Sequence, residues 1–118
     1  MVGTANLDVG GALHSPAFFD PGIWQFEMDS TRIDLGDGPV KLQGVPLGKV
    51  LASMEPQARA TRVILQTSEA PLSLNLAEVL SDDDLRLFTV IGETGVTTAL
   101  ARMDGVVLAT EVTSIEVR

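Results

Sequence analysis

The single histidine, His14, precedes Ser15-Pro16 in a turn-rich stretch, and loops are where binding and catalytic groups are commonly displayed. As a general base it would need a serine presented on a sharp strand-to-helix turn. No serine lies in a G-x-S-x-G elbow, so Ser-His-Asp hydrolysis is excluded and a solvated loop residue is the plainer reading of His14. Carboxylates gather at Asp82-Asp83-Asp84 and at Asp34 with Asp37, where oxygen ligands for Ca²⁺ or Mg²⁺ could be collected. Neither group has the spaced acidic positions and closing Glu of an EF-hand loop, and solvated turns account for both. Glu69 or Glu93 could serve a carboxylate-pair glycosidase, but one Trp, four Phe and no Tyr leave little to stack a sugar on. Gly36-Asp37-Gly38 and Gly92 to Gly95 lack the spacing of a dinucleotide or phosphate cradle and read as hairpin punctuation.

Three further residue sets could hold a ligand. Trp24, Phe26 and Met28 share one face if their segment is a strand, and such a trio can line a pocket, although it more often belongs to a core. Arg32, Arg62 and Arg102 are the guanidinium groups able to grip a phosphate in bidentate fashion, with surface counter-charge as the ordinary alternative. If a ligand is bound, His14, Trp24 and Arg32 are the residues expected to border it. No catalytic residue and no metal-ligand set emerges. Zero cysteines removes disulfides, thiol catalysis and every thiolate-held metal together.

Composition narrows the partners. Sixteen acidic residues against eight basic ones give a formal net charge of -8, which opposes binding to a polyphosphate backbone, so nucleic acid is excluded as a partner. No apolar run reaches the roughly 20 residues that span a bilayer, so membrane insertion is not expected. Another protein chain or a small ligand remains. The start, Met1 to Gly11, lacks the basic and apolar regions of a secretory signal, and a soluble protein of either periplasm or cytoplasm fits the composition. At 118 residues with 45% apolar content and no linker-like stretch, residues 1–118 are expected to form a single domain.

The elements that must position these residues follow from hydrophobic period. Leu7 and Val9 before Gly10-Gly11 read as an opening strand, and Ile23 to Met28 as a second. Ile33 and Leu35 with Val40 and Leu42 predict a hairpin around Gly36-Asp37-Gly38. Leu47, Val50, Leu51 and Met54 fall at i, i+3, i+4 and i+7, predicting a helix over Pro46 to Met54, with Pro46 in its first turn and Pro56 beyond its end. Val63-Ile64-Leu65 reads as a strand buried on both faces, paired with Leu72, Leu74 and Leu76. Asn75 can instead cap a short helix through Leu80, which puts the boundary at Leu76, and the aspartate run ends that helix. Leu85 to Ile91 is a central strand. Thr97 to Met103 and Val106 to Thr110 flank the tight turn Asp104-Gly105, and Thr113, Ile115 and Val117 form a last half-buried strand. The sum is an α+β domain of mixed, mostly antiparallel strands with one or two short helices.

Gly44-Val45-Pro46-Leu47, opening the predicted helix, resembles the molybdopterin-binding domain of sulfite-oxidase-like oxidoreductases, whose members carry a G-V-P-L segment at that place. Leu7 to Gly11 is similar to the family's opening strand and glycine turn, Arg62 to Leu76 to its paired strands, Leu76-Ala77-Glu78 to its L-x-E segment, and Leu85 to Ile91 with Ser114 to Val117 to later strands. The resemblance implies the family's fold and, with it, possible molybdopterin. It does not extend to the metal, because catalytic members hold molybdenum through a cysteine thiolate. The family's longer Arg- and Pro-containing stretch before the last strand is also replaced here by the Asp104-Gly105 hairpin. The expectation is a reduced relative without redox catalysis, acting as a binding or interaction module. A molybdopterin-binding oxidoreductase component with an atypical site and an assembly domain recruiting another chain at a sheet edge are the alternatives.

Overall fold

Alternating apolar residues build two five-stranded sheets around the predicted helix. The computed structural model describes residues 7–36, 38–92 and 95–118. In chain order the elements are β1 (Leu7–Gly11), β2 (Ala17–Phe19), a 3-10 helix (Pro21–Glu27), β3 (Asp29–Asp34), β4 (Pro39–Pro46), α1 (Leu47–Ser53), β5 (Arg62–Thr67), β6 (Leu72–Asn75), α2 (Leu76–Ser81), β7 (Leu85–Gly92), β8 (Gly95–Arg102), β9 (Val107–Ala109) and β10 (Val112–Val117). One sheet has the order β2-β1-β10-β5-β6 and the other β3-β4-β7-β8-β9. Every neighbouring pair is antiparallel except β1 and β10, so the expected mixed, mostly antiparallel α+β architecture is the one found.

The main core lies where the inner faces of both sheets meet α1 and α2, and it includes Phe19, Leu47, Leu51, Leu65, Leu87 and Leu100. A second, smaller cluster of Ile33, Phe88, Ala99 and Ala101 occupies the other face of the second sheet. That sheet coils until β3 reaches the β8–β9 turn, where the Thr31 hydroxyl donates to the Met103 carbonyl at 3.0 Å. Small alanines suit the inside of such a curl, where facing strands come close.

Local chemistry explains the helices. Pro46 precedes α1, and Leu47, Val50 and Leu51 are buried along its stripe. Asn75 accepts from the Glu78 amide at 3.1 Å and starts α2, so β6 ends and the helix begins at Leu76 as expected. Asp82 closes α2. Gly105 takes φ +99° in the β8–β9 turn, the left-handed conformation that glycine adopts without strain.

Three expectations are corrected. Ile23 to Met28 is not a strand: Asp20 accepts from the Gly22 amide at 2.9 Å and Pro21 presets the turn, so the chain winds into a 3-10 helix. Trp24 and Met28 still pack against the main core, but Phe26 is 91% exposed, because a three-residue period turns it away from Trp24. β5 is buried on one face only: Val63 and Leu65 face the core, whereas Ile64 is half-exposed opposite Ser73 and Glu116. In β10 a register shift between Val112 and Ser114 sends Val112 inward with Ile115 and Val117, leaving Thr113 exposed. The expected Gly92 to Gly95 turn and the Gly36-Asp37-Gly38 turn each include residues outside those described.

Candidate functional site

β4 and β7 pair over only three residues, Gly44 with Phe88, Val45 with Leu87 and Pro46 with Arg86. Gly44 is required there: a Cβ on it would stand 2.6 Å from the Phe88 ring, which is fully buried. Arg86 closes the same end. Its guanidinium donates to the Gly44 carbonyl at 3.3 Å and to the Asp83 carbonyl at 3.0 Å, and it lies 3.1 Å from the Asp29 carboxylate. At 6% exposure Arg86 is a buried cation, and these partners supply the hydrogen bonds that burial demands.

Beyond Gly44 and Phe88 the strands part. β4 stays with β3 as far as Pro39, while β7 stays with β8 as far as Gly92, so two hairpins diverge from a common root. The 3-10 helix covers the fork and leaves a cleft of about 690 Å³. Its walls are Lys41, Leu42 and Gln43 of β4 and Thr89 and Ile91 of β7, with Pro21, Gly22, Gln25 and Met28 above. Ile91 is 78% exposed, an apolar side chain presented to solvent at the cleft. The volume lies in the range of small-molecule sites, and the lining combines apolar surface with a few polar groups, as such sites do.

His14, Trp24 and Arg32 do not line this cleft. His14 is exposed in a bend, its backbone amide donating to the Glu55 carbonyl at 2.8 Å. Trp24 belongs to the covering 3-10 helix but packs against the main core. Arg32 comes nearest by topology: it is exposed on β3, directly opposite the cleft residue Lys41. The other two arginines are engaged elsewhere. Arg62 donates to the Ser73 hydroxyl at 2.6 Å, and Arg102 donates to Asp82 at 2.6 Å. The hydrogen bond from Arg102 holds the Asp82 carboxyl below its usual range.

The aspartate run is thereby accounted for as structure. Asp82 caps α2 and pairs with Arg102, while Asp83 offers its carbonyl to Arg86. Asp34 accepts from the Gly36 amide at 2.8 Å and the Gly38 amide at 3.2 Å, fixing its turn. Among the described residues no group of three or more His, Asp or Glu side chains could hold a metal ion. Glu69 is exposed in the β5–β6 turn; Asp37 and Glu93 lie outside the described residues. Sequence reasoning missed Lys41, Gln43, Thr89 and Ile91. The one available signal was polar residues on strands otherwise apolar: Thr89 interrupts the apolar run Leu87 to Ile91, and Lys41 and Gln43 flank Leu42.

No family model matches the chain, and no curated protein sequence matches it. Among solved structures it is similar to the sulfane dehydrogenase SoxCD from Paracoccus pantotrophus, with a TM-score of 0.62 at 12% identity, over 95% of this chain and 37% of that one. The chain thus spans little more than a third of that SoxCD chain. At such identity the likeness is one of fold, and it supports the distant structural resemblance that Gly44-Val45-Pro46-Leu47 implied.

Proposed function

We propose that this chain is a binding module built on an oxidoreductase-type scaffold, without redox catalysis of its own, and that the fork between β4 and β7 is where it takes a small ligand. The observation that carries the reading is the fork itself: a cleft of about 690 Å³ opens where two strands stop pairing. Strands that part leave backbone donors and acceptors available to a guest as well as side chains. Thiolate-ligated molybdenum does not fit these residues, because the sequence has no cysteine to supply the sulfur. Methionine sulfur is present, but a neutral thioether does not stand in for a thiolate.

Protein purified from its native host tests this reading through metal analysis, the visible absorption spectrum and native mass spectrometry. The reading expects a small-molecule adduct that is lost from a Thr89→Trp variant, which fills the fork, and no stoichiometric molybdenum. Tightly held molybdenum or pterin would overturn it in favour of an oxidoreductase component with an atypical site. An assembly role has its own support in β2, a three-residue edge strand whose Phe18 is 64% exposed. Size-exclusion chromatography with candidate neighbouring proteins decides that point, and monomer under every condition removes it.

A further inference from the structure

The eight basic residues are not used alike. Lys49 pairs with Glu27, Arg86 with Asp29, Arg102 with Asp82 and Arg118 with Glu116. Arg62 donates to Ser73 and Arg59 to Gln57. Arg32 and Lys41 are left, and among the described residues neither makes an ion pair or a side-chain hydrogen bond. Strand register sets these two directly opposite each other, so they project from the same face of the β3–β4 hairpin. Like charges in that relation weaken a sheet.

Nothing in the composition forces such a placement. In a chain of net charge -8, carboxylates outnumber cations two to one, and four of the eight cations pair with one. Among the described residues of the same hairpin, Asp29 pairs with Arg86 and Asp34 turns its carboxylate to the amides of its own turn. Glu27, at the end of the covering 3-10 helix, is held by Lys49 at 2.8 Å. Two cations without an ion-pair partner among the described residues therefore stand side by side, one lining the cleft and the other one strand further out. A ligand that brings negative charge would relieve their repulsion, and a neutral or cationic one would not.

Resting on the fork as the binding site, we infer that its ligand is a small organic anion, a carboxylate or phosphate ester with an apolar body. The oxyanion sits at the mouth against Lys41 and Arg32, the latter able to grip two oxygens in parallel. The apolar part lies on Ile91 and Met28, and the Gln25 and Gln43 amides supply hydrogen bonds beside it. Selectivity then comes from charge at the rim and from shape within.

Titration of the full chain with phenyl phosphate, benzoate, benzyl alcohol and benzylamine tests the inference, read by isothermal calorimetry and by Trp24 emission. Both anions bind and the two uncharged or cationic probes bind at least about tenfold more weakly. Lys41→Ala and Arg32→Ala each weaken the anions by about tenfold or more, the double charge reversal Arg32→Glu with Lys41→Glu abolishes their binding, and added salt weakens it. Arg59→Ala, which removes an equal charge away from the cleft, leaves affinity unchanged. A stronger response to phenyl phosphate assigns the phosphoryl class, and a stronger response to benzoate the carboxylate class. Binding that ignores probe charge, or that survives the double reversal in a variant with unchanged thermal unfolding, overturns the anion assignment and leaves the fork as a site. Failure of all four probes to bind overturns both.

Discussion

The same two strands, β4 and β7, are joined at one end and separated at the other, and the two ends have opposite chemistry. At the joined end Gly44 lies under the Phe88 ring, Val45 and Leu87 are fully buried, and Arg86 clamps the Gly44 carbonyl. At the open end Lys41, Gln43 and Ile91 face a cleft, and Ile91 is largely exposed. Packing determines every residue at the first end, whereas fold stability leaves the second almost unconstrained. Residues that packing does not dictate are the ones free to be chosen for a ligand.

The largest expected effect separates the ends outright. Phe88→Ala removes a fully buried ring and lowers unfolding free energy by about 3–5 kcal/mol, while Ile91→Ser stays within about 0.5 kcal/mol, both read by denaturant titration. Comparable losses at both positions would break the comparison. Next come two tightly packed glycines, one in α1 and one at the joined end. Gly48→Ala places a Cβ against the Val79 carbonyl where α1 meets α2, and Gly44→Ala drives one into the Phe88 ring; each costs about 1–3 kcal/mol. Gly44→Ala combined with Phe88→Leu loses less than the two single changes added together, because the smaller side chain makes room. Asn75→Ala, which removes the α2 cap but touches neither end, costs about 1 kcal/mol.

The smallest effect concerns pH. Hydrogen bonding from Arg102 lowers the Asp82 carboxyl in the native state. The stability it lends is complete above the ordinary carboxyl value of 3.8 and is lost as pH falls through the lower native value. Asp82→Asn therefore lowers the thermal midpoint at neutral pH and ceases to do so in strong acid. A loss that persists unchanged into strong acid would mean that the ion pair is not its source.

The contrast also explains what was legible in the sequence. Leu47, Val50 and Leu51 announced α1 because burial enforces a 3.6-residue period, and Asn75 with Glu78 announced α2 because a cap is a local event. The Gly44-Val45-Pro46-Leu47 segment pointed to the fold for the same reason: Gly44 fits beneath Phe88, Val45 and Leu47 fill the core, and Pro46 starts the helix. It is a packing signature, and it carries no chemistry. Residues 23–28 misled because Trp24, Phe26 and Met28 alternate, while the decisive contact was the Asp20 carboxylate on the Gly22 amide. The Val112 shift was invisible since a bulge depends on the partner strand. The fork was illegible for a deeper reason. Where two strands stop pairing is set by the coil of the whole sheet, and the polar residues within Lys41 to Gln43 and Thr89 to Ile91 mark an interruption without placing the fork.

Amide chemical shifts of the full chain during titration with phenyl phosphate test most directly whether the two ends divide scaffold from site. The account predicts large movements at Gly22, Gln25, Lys41, Gln43, Thr89 and Ile91, with Val45, Leu47 and Leu87 nearly still. Movements centred on residues 44–48 and 86–88, or on the β5–β6 hairpin, would contradict it, as would a spectrum that does not change.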